Sequence, residues 1–258
     1  VSRLLTILLL VPTAALAQSR PTFAANGNTT VTAATTTCTP STTNLGGVGA
    51  TDIILLVATS ENEAISLSTA NNFVEVTNSP QSAGTAATDP GHRLAVYWVR
   101  GSSWTSAPVV ADSGNHTTCA LHRFSGAYET GDPWAVTAGG NDSAANDTSG
   151  TIPSGSTGSA ENFLIVLIQG SSYNATDTAQ CSGWTNSNLA NITEQFDSTN
   201  TSGLGGGHCM ATGEYSSNGD YGSTTVTLAQ TTYKGAMSIA LKPGTDPAGS
   251  GGMMGFWP

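Results

Sequence analysis

Two stretches of the chain are apolar almost without interruption, and both are short: TDIILLVATS at 51–60 and ENFLIVLIQG at 161–170. Runs of this length, bounded by polar residues, fit a strand covered on both faces better than a helix. Elsewhere the pattern alternates. In RLAVYWV, Leu94, Val96 and Trp98 fall on one face and Ala95, Tyr97 and Val99 on the other, so both faces of this segment also read as apolar. No segment carries a helical period, and clusters of Gly, Asn, Ser and Pro recur at intervals suited to turns between short strands. The pattern predicts an all-β fold, a jelly-roll-like β-sandwich.

The pattern also repeats. GHRLAVYW at 91–98 is echoed by GHCMATGE at 207–214, CSGWT at 181–185 answers ANNFV at 70–74, and KGAMSIALKP answers TTCALHRFSG. A drifting offset of this kind is what loop insertions between two related halves would produce. The expected organisation is a first half at 18–136, a polar linker or loop at 137–160, a second half at 161–243 and a Gly-rich tail at 244–258. Each half is expected to supply strands that complete one common sandwich, neither sheet being whole without the other.

Composition narrows the partners. Charged residues make up 9 % of the 258 residues, and seventeen acidic against seven basic side chains leave a net charge of −10. That balance excludes a nucleic-acid partner, which needs clustered Lys and Arg. Residues 1–17 combine Arg3, an apolar run from Leu4 to Val11 and the small-residue ending Ala15-Leu16-Ala17, the three regions of a secretory signal peptide. The competing reading is a hydrophobic N-terminal segment packed on a partner. The run is too short to cross a membrane, so no span is expected in the mature chain, and the setting is extracellular. Cys38, Cys119, Cys181 and Cys209 form an even set with no CxxC spacing. In an exported chain such a set reads as two disulfides. Of the three possible pairings, Cys181 with Cys209 is the local choice, leaving Cys38 with Cys119; buried free thiols are the alternative.

Catalytic arrangements are weakly represented. There is no GxSxG elbow, and the four histidines, His92, His116, His122 and His208, lack ligand spacing; His92 and His208 fall at equivalent points of the repeat and read as structural. Glu61 with Glu63, and Glu194 with Asp197, are the carboxylate pairs a glycosidase would need, but a solvated strand edge explains them equally well. No enzyme is expected and no cofactor, calcium excepted: Asn141, Asp142, Asn146 and Asp147 in GNDSAANDTSG are oxygen donors of the type calcium accepts, without EF-hand spacing. Trp104, Tyr128, Trp134, Tyr173 and Tyr221 lie beside turn residues and form a candidate set of carbohydrate platforms, whereas Trp98 and Trp184 read as core. The tail ends in Met253, Met254, Phe256 and Trp257, an apolar tip suited to docking on another subunit or partner.

GHRLAVYWVR, VVADSGNH, GDPW and MSIALKP, within a span of about 50–243, resemble the virion-associated β-sandwich proteins of tailed bacteriophages and prophages, found in tail fibres and capsid decorations. The resemblance implies a non-enzymatic, oligomeric surface protein, self-associating or bound to a neighbouring virion or surface protein, with loops that touch a glycan. Its motifs are structural, so no functional residue is carried over. A signal peptide departs from that family and points instead to a bacterial surface component or adhesin. A secreted carbohydrate-binding module is the alternative.

Overall fold

The computed structural model describes residues 18–28, 30–32, 37–88, 91–112, 114, 117–143, 147–172, 180–198 and 206–244. The first part of the chain forms β1 (Thr22–Asn26), β2 (Thr30–Thr32), β3 (Thr37–Cys38), β4 (Ile53–Ser60), β5 (Ile65–Thr69), β6 (Val74–Glu75), β7 (Gln81–Ala83), β8 (His92–Arg100), β9 (Val109–Asp112) and β10 (Thr117–Ser125). The second part forms β11 (Trp134–Asp142), β12 (Ser149–Ile152), β13 (Phe163–Ser171), β14 (Cys181–Thr185), β15 (Ala190–Asp197), β16 (Gly207–Tyr215), β17 (Thr224–Leu228) and β18 (Lys234–Leu241). The pairings are antiparallel, and the all-β expectation holds.

No sheet mixes strands from the two parts. One large sheet runs β1-β10-β4-β8-β6, with β2 and β7 added at β10 and β8; the other runs β11-β18-β13-β16-β15. Two small sheets, β3-β9-β5 and β12-β17-β14, complete the set. With β2 and β7 set aside, the strand order is the same in both parts when strands are counted along each: first, eighth, third, sixth and fifth in the large sheet, second, seventh and fourth in the small one. This departs from the expectation of one sandwich shared between halves. The reason is that each half pairs its strands within its own sheets, and the two halves meet through one face of each large sheet.

That shared face explains the uninterrupted apolar runs. Ile53, Leu55 and Val57 of β4 join a core with Leu164, Val166 and Ile168 of β13, between the two large sheets. The alternate residues Ile54, Leu56 and Ala58 pack instead with Cys38 and Val110 under the small sheet of the first half. On the other side, Phe163, Ile165 and Leu167 pack with Ile152 and Val226 under the small sheet of the second half. The layers run small, large, large, small. Period-two alternation is present, but both of its faces are apolar because both are covered.

The stretch 137–160, expected as a linker, carries most of β11 and all of β12. Its strand character was masked by Gly139, Gly140 and a run of Ser and Thr; β12 alternates with Gly150 and Ile152 inward.

One polar chain crosses the seam between the large sheets. Asn26 donates through Nδ2 to the Gln195 carbonyl (2.7 Å), and this fixes its Oδ1 as an acceptor for His122 Nδ1–H (2.6 Å). His122 Nε2 then carries a lone pair, which accepts the Nε2–H of His208 at 3.0 Å. The chain therefore enters from β15, runs through the neighbouring strands β1 and β10 of the first half, and returns to the second half at β16, so it crosses the seam twice. Phe196 packs on both imidazoles, stacked on His208 and edge-on to His122. Both histidines are fully buried, and burial pulls the His122 pKa down to about 3 and holds that of His208 well below its usual value, where the neighbouring imidazoles add to the effect.

His92 is buried elsewhere on the same seam, over two glycines that sit side by side on β13 and β18, Gly170 and Gly235. A Cβ at Gly170 would collide with His92 Nε2, and the ring has no solvent-facing side to retreat to. Gly170→Ala is therefore expected to destabilise the fold by about 1–3 kcal/mol, the usual cost of overpacking. An unchanged midpoint in urea would show that the ring is not confined there.

Candidate functional site

The loop after β8 builds an open groove that brings two indoles together. Arg100 leaves the strand, Gly101–Ser103 form one 3-10 turn, and the chain returns at Trp104. The turn lies tight against the 49–52 loop: Gly101 N–H donates to the Asp52 carbonyl (2.7 Å) and Ser102 N–H to that of Ala50 (2.8 Å). A side chain at 101 would strike the Gly49 carbonyl oxygen, so the approach requires glycine. Opposite stand Asn71 and Asn72, both with left-handed backbone (φ 45° and 68°), a conformation Asn tolerates better than most residues. Their amides hold the loop from the other side: Asn71 Nδ2 donates to the Ala107 carbonyl (2.6 Å) and Asn72 Nδ2 to that of Ser103 (2.9 Å).

Between these walls is a groove of about 490 Å³ lined by Asn72, Val74, Trp98, Arg100, Ser102 and Trp104 among others. Both indoles are partly exposed and anchored edge-on to buried rings, Trp98 to Trp134 (5.1 Å) and Trp104 to Phe73 (5.9 Å). Val74, paired with Trp98 across β6 and β8, is 53 % exposed. The Arg100 guanidinium lies 5.8 Å from the centre of the Trp98 ring and donates to the carbonyls of Tyr128 (2.5 Å) and Gly131 (2.9 Å). Partial burial lowers its pKa from the usual value, opposed by the nearby Glu129. The result is a fixed apolar floor with amide, hydroxyl and guanidinium groups along its rim.

The expected platform residues divide. Trp104 lines the groove. Tyr128 is half-buried, with Lys242 Nζ 4.3 Å from its ring centre. Trp134 and Tyr221 are not exposed platforms: Trp134 is 8 % exposed in the core between the large sheets, and Tyr221 is fully buried, its hydroxyl 2.7 Å from Ser238 Oγ and its pKa raised to about 12 by burial. Each sits beside turn residues but points inward. Tyr173, His116, Asn146 and the tip Met253, Met254, Phe256 and Trp257 lie outside the described residues.

No protein family, curated protein or solved structure matches this chain.

Two of the four oxygen donors expected for calcium, Asp142 and Asp147, converge on an internal cation. Lys234, 2 % exposed, places Nζ 3.1 Å from Asp142 Oδ2 and 2.7 Å from Asp147 Oδ1, and the hydrogen bond from Lys234 is the largest effect holding the Asp147 carboxyl below its usual pKa. Asn141 and Asp142 line a pocket of about 340 Å³ beside it. Among the described residues no group of three His, Cys, Asp or Glu side chains is arranged to hold a metal.

Glu61 and Glu63 are buried just after β4. Glu194 accepts the Trp184 indole N–H (2.7 Å), and Asp197 accepts the Cys181 backbone N–H (3.0 Å). The cysteines pair as Cys38–Cys119 and Cys181–Cys209, the arrangement that local spacing favours. Two disulfides fit a non-reducing, extracellular setting, and among the described residues no helix is long and apolar enough to cross a membrane.

The sequence reading missed Trp98, Arg100, Val74 and Asn72. Trp98 shares its face with Leu94 and Val96, so alternation assigns it to the core. The usable signal was the shortness of the neighbouring edge segment: a two-residue β6 cannot cover an indole.

Proposed function

We propose that this chain is a non-catalytic extracellular recognition protein, an adhesion or surface-assembly component that holds carbohydrate in the groove between Trp98 and Trp104, on a frame of two pseudo-repeated, jelly-roll-like halves. The observation that carries the reading is the pair of anchored, partly exposed indoles flanked by Asn72, Arg100 and Ser102. Pyranose rings present an apolar C–H face and a rim of hydroxyls, and an aromatic floor with polar edges answers both. The rings and amides are already held in place, which lowers the ordering cost of binding. The two disulfides support an extracellular setting, and display on a cell or virion surface, with self-association or a protein neighbour, is the context in which such a groove would serve adhesion.

The test is a glycan array followed by affinity electrophoresis in polysaccharide-containing gels. Trp104→Ala is expected to weaken the retained interaction at least tenfold, with Trp104→Phe keeping most of it and circular dichroism unchanged in both. Full binding by a folded Trp104→Ala protein, or a wild-type protein with no glycan ligand, removes this function.

A further inference from the structure

The groove does not stop at Trp104. Trp104 and Thr105 also line a second depression, of about 750 Å³, walled by Thr39, Thr42, Thr43, Leu45 and Ser106 with their neighbours. The two depressions therefore adjoin at these two residues, and an extended ligand that filled both would lie along one trough past the Trp104 indole. Each alone falls in the range of a small-ligand site, about 300–1,000 Å³. The far wall is fixed at both ends: Cys38, bonded to Cys119, precedes it, and Leu45, 1 % exposed, plugs into the core beneath.

The charge of this trough differs from that of the molecule. The chain carries seventeen acidic residues, yet none lines either depression, and the one charged lining residue is Arg100, already bonded to two carbonyls. The second depression offers hydroxyls and no charged group at all. An anionic ligand would approach an acidic protein and find one committed cation. A neutral, hydroxyl-rich one would find matched partners throughout.

We infer that the trough binds an internal segment of a neutral, linear polysaccharide, laid across Trp104 with sugar units in both depressions, and not a chain terminus or an acidic glycan. The inference rests on the proposed carbohydrate-binding function and adds its ligand class. Once a disaccharide is seated on Trp98 and Trp104, the units that follow are held at high effective concentration over the threonine wall, so affinity rises with chain length beyond two units.

The experiment is calorimetric titration with cello-, laminari- and chito-oligosaccharides of one to six units, with polygalacturonate as the acidic control. In one neutral series, affinity is expected to rise at least tenfold between two units and five. Thr42 is exposed, and Thr42→Arg, which crowds the second depression, is expected to abolish that rise while leaving the disaccharide affinity unchanged. Disaccharide binding that is lost in Trp104→Ala but shows no gain with length, or a gain that Thr42→Arg leaves intact, overturns the two-depression trough and spares the groove. Preferential binding of polygalacturonate overturns the neutral class. No binding by a folded wild-type protein at any length overturns the underlying function as well.

Discussion

Acidification from pH 6.5 to pH 4.5 is expected to lower the unfolding free energy by roughly 5 kcal/mol, on the order of 1 kcal/mol per pH unit for each buried histidine. Burial holds His92 and His122 at about 3 and His208 well below the usual value near 6.5. Between those limits the unfolded chain binds protons that the folded chain does not, so stability is complete above pH 6.5 and is lost as pH falls through it. Asp197 acts with the opposite sign: burial raises its pKa to about 6, so the folded state takes up its proton first and gains stability as pH falls below that value. It is partly exposed and offsets only a fraction. The geometry gives the same direction independently. A proton on His122 Nε2 would oust the Nε2–H of His208 from the bond that joins β10 to β16, forcing His208 into its other tautomer and leaving a charge buried at the seam. Urea titrations at the two pH values measure the loss, and His208→Leu is expected to flatten the slope by about a third. A midpoint that does not move between pH 6.5 and 4.5 would overturn the assignment of neutral rings.

Removing the Cys38–Cys119 bridge is the second large effect. The bond closes a loop with a sequence separation of 81 residues, against 28 for Cys181–Cys209. Loop-closure entropy alone gives the first bridge about 4 kcal/mol and the second slightly less. Cys38→Ala with Cys119→Ala is therefore expected to lose that amount in chemical denaturation. Because Cys38 sits on β3 immediately before the threonine wall, the same variant should also bind long oligosaccharides less well than short ones relative to wild type. A loss below about 1 kcal/mol would mean that residual structure already restrains the unfolded ensemble of the bridge-free chain, since the entropic model assumes an unrestrained one.

The strands that carry most of the core were legible because their side chains report burial directly: the runs at 51–60 and 161–170 read as doubly covered strands, and β4 and β13 are such strands. What covered them was not legible. A run apolar on both faces is equally compatible with one thick sandwich or with two thinner ones stacked, and only the pairing partners distinguish these. β11 and β12 were hidden by small and hydroxyl residues whose composition matches a loop. The site was half legible. Trp104 stood out beside its turn residues, but Trp98 took its role from the edge of the sheet, which is a property of a neighbouring segment and not of its own. The histidines show the same limit. The repeat equates His92 with His208, yet it is His122 that meets His208, because a sequence offset does not report how the two large sheets cross, and the crossing sets the contact.

The stacking of two large sheets through one apolar face also fixes how the molecule responds to dilution. Two separate chains joined by such a face would come apart as their concentration fell. Here a short segment, Gly126 to Pro133, leads from β10 to β11, so each half meets the other at a local concentration that the surrounding solution cannot alter. The two halves behave as a dimer whose association constant has been written into its own backbone, and a groove carried on one half keeps its footing however dilute the molecules are.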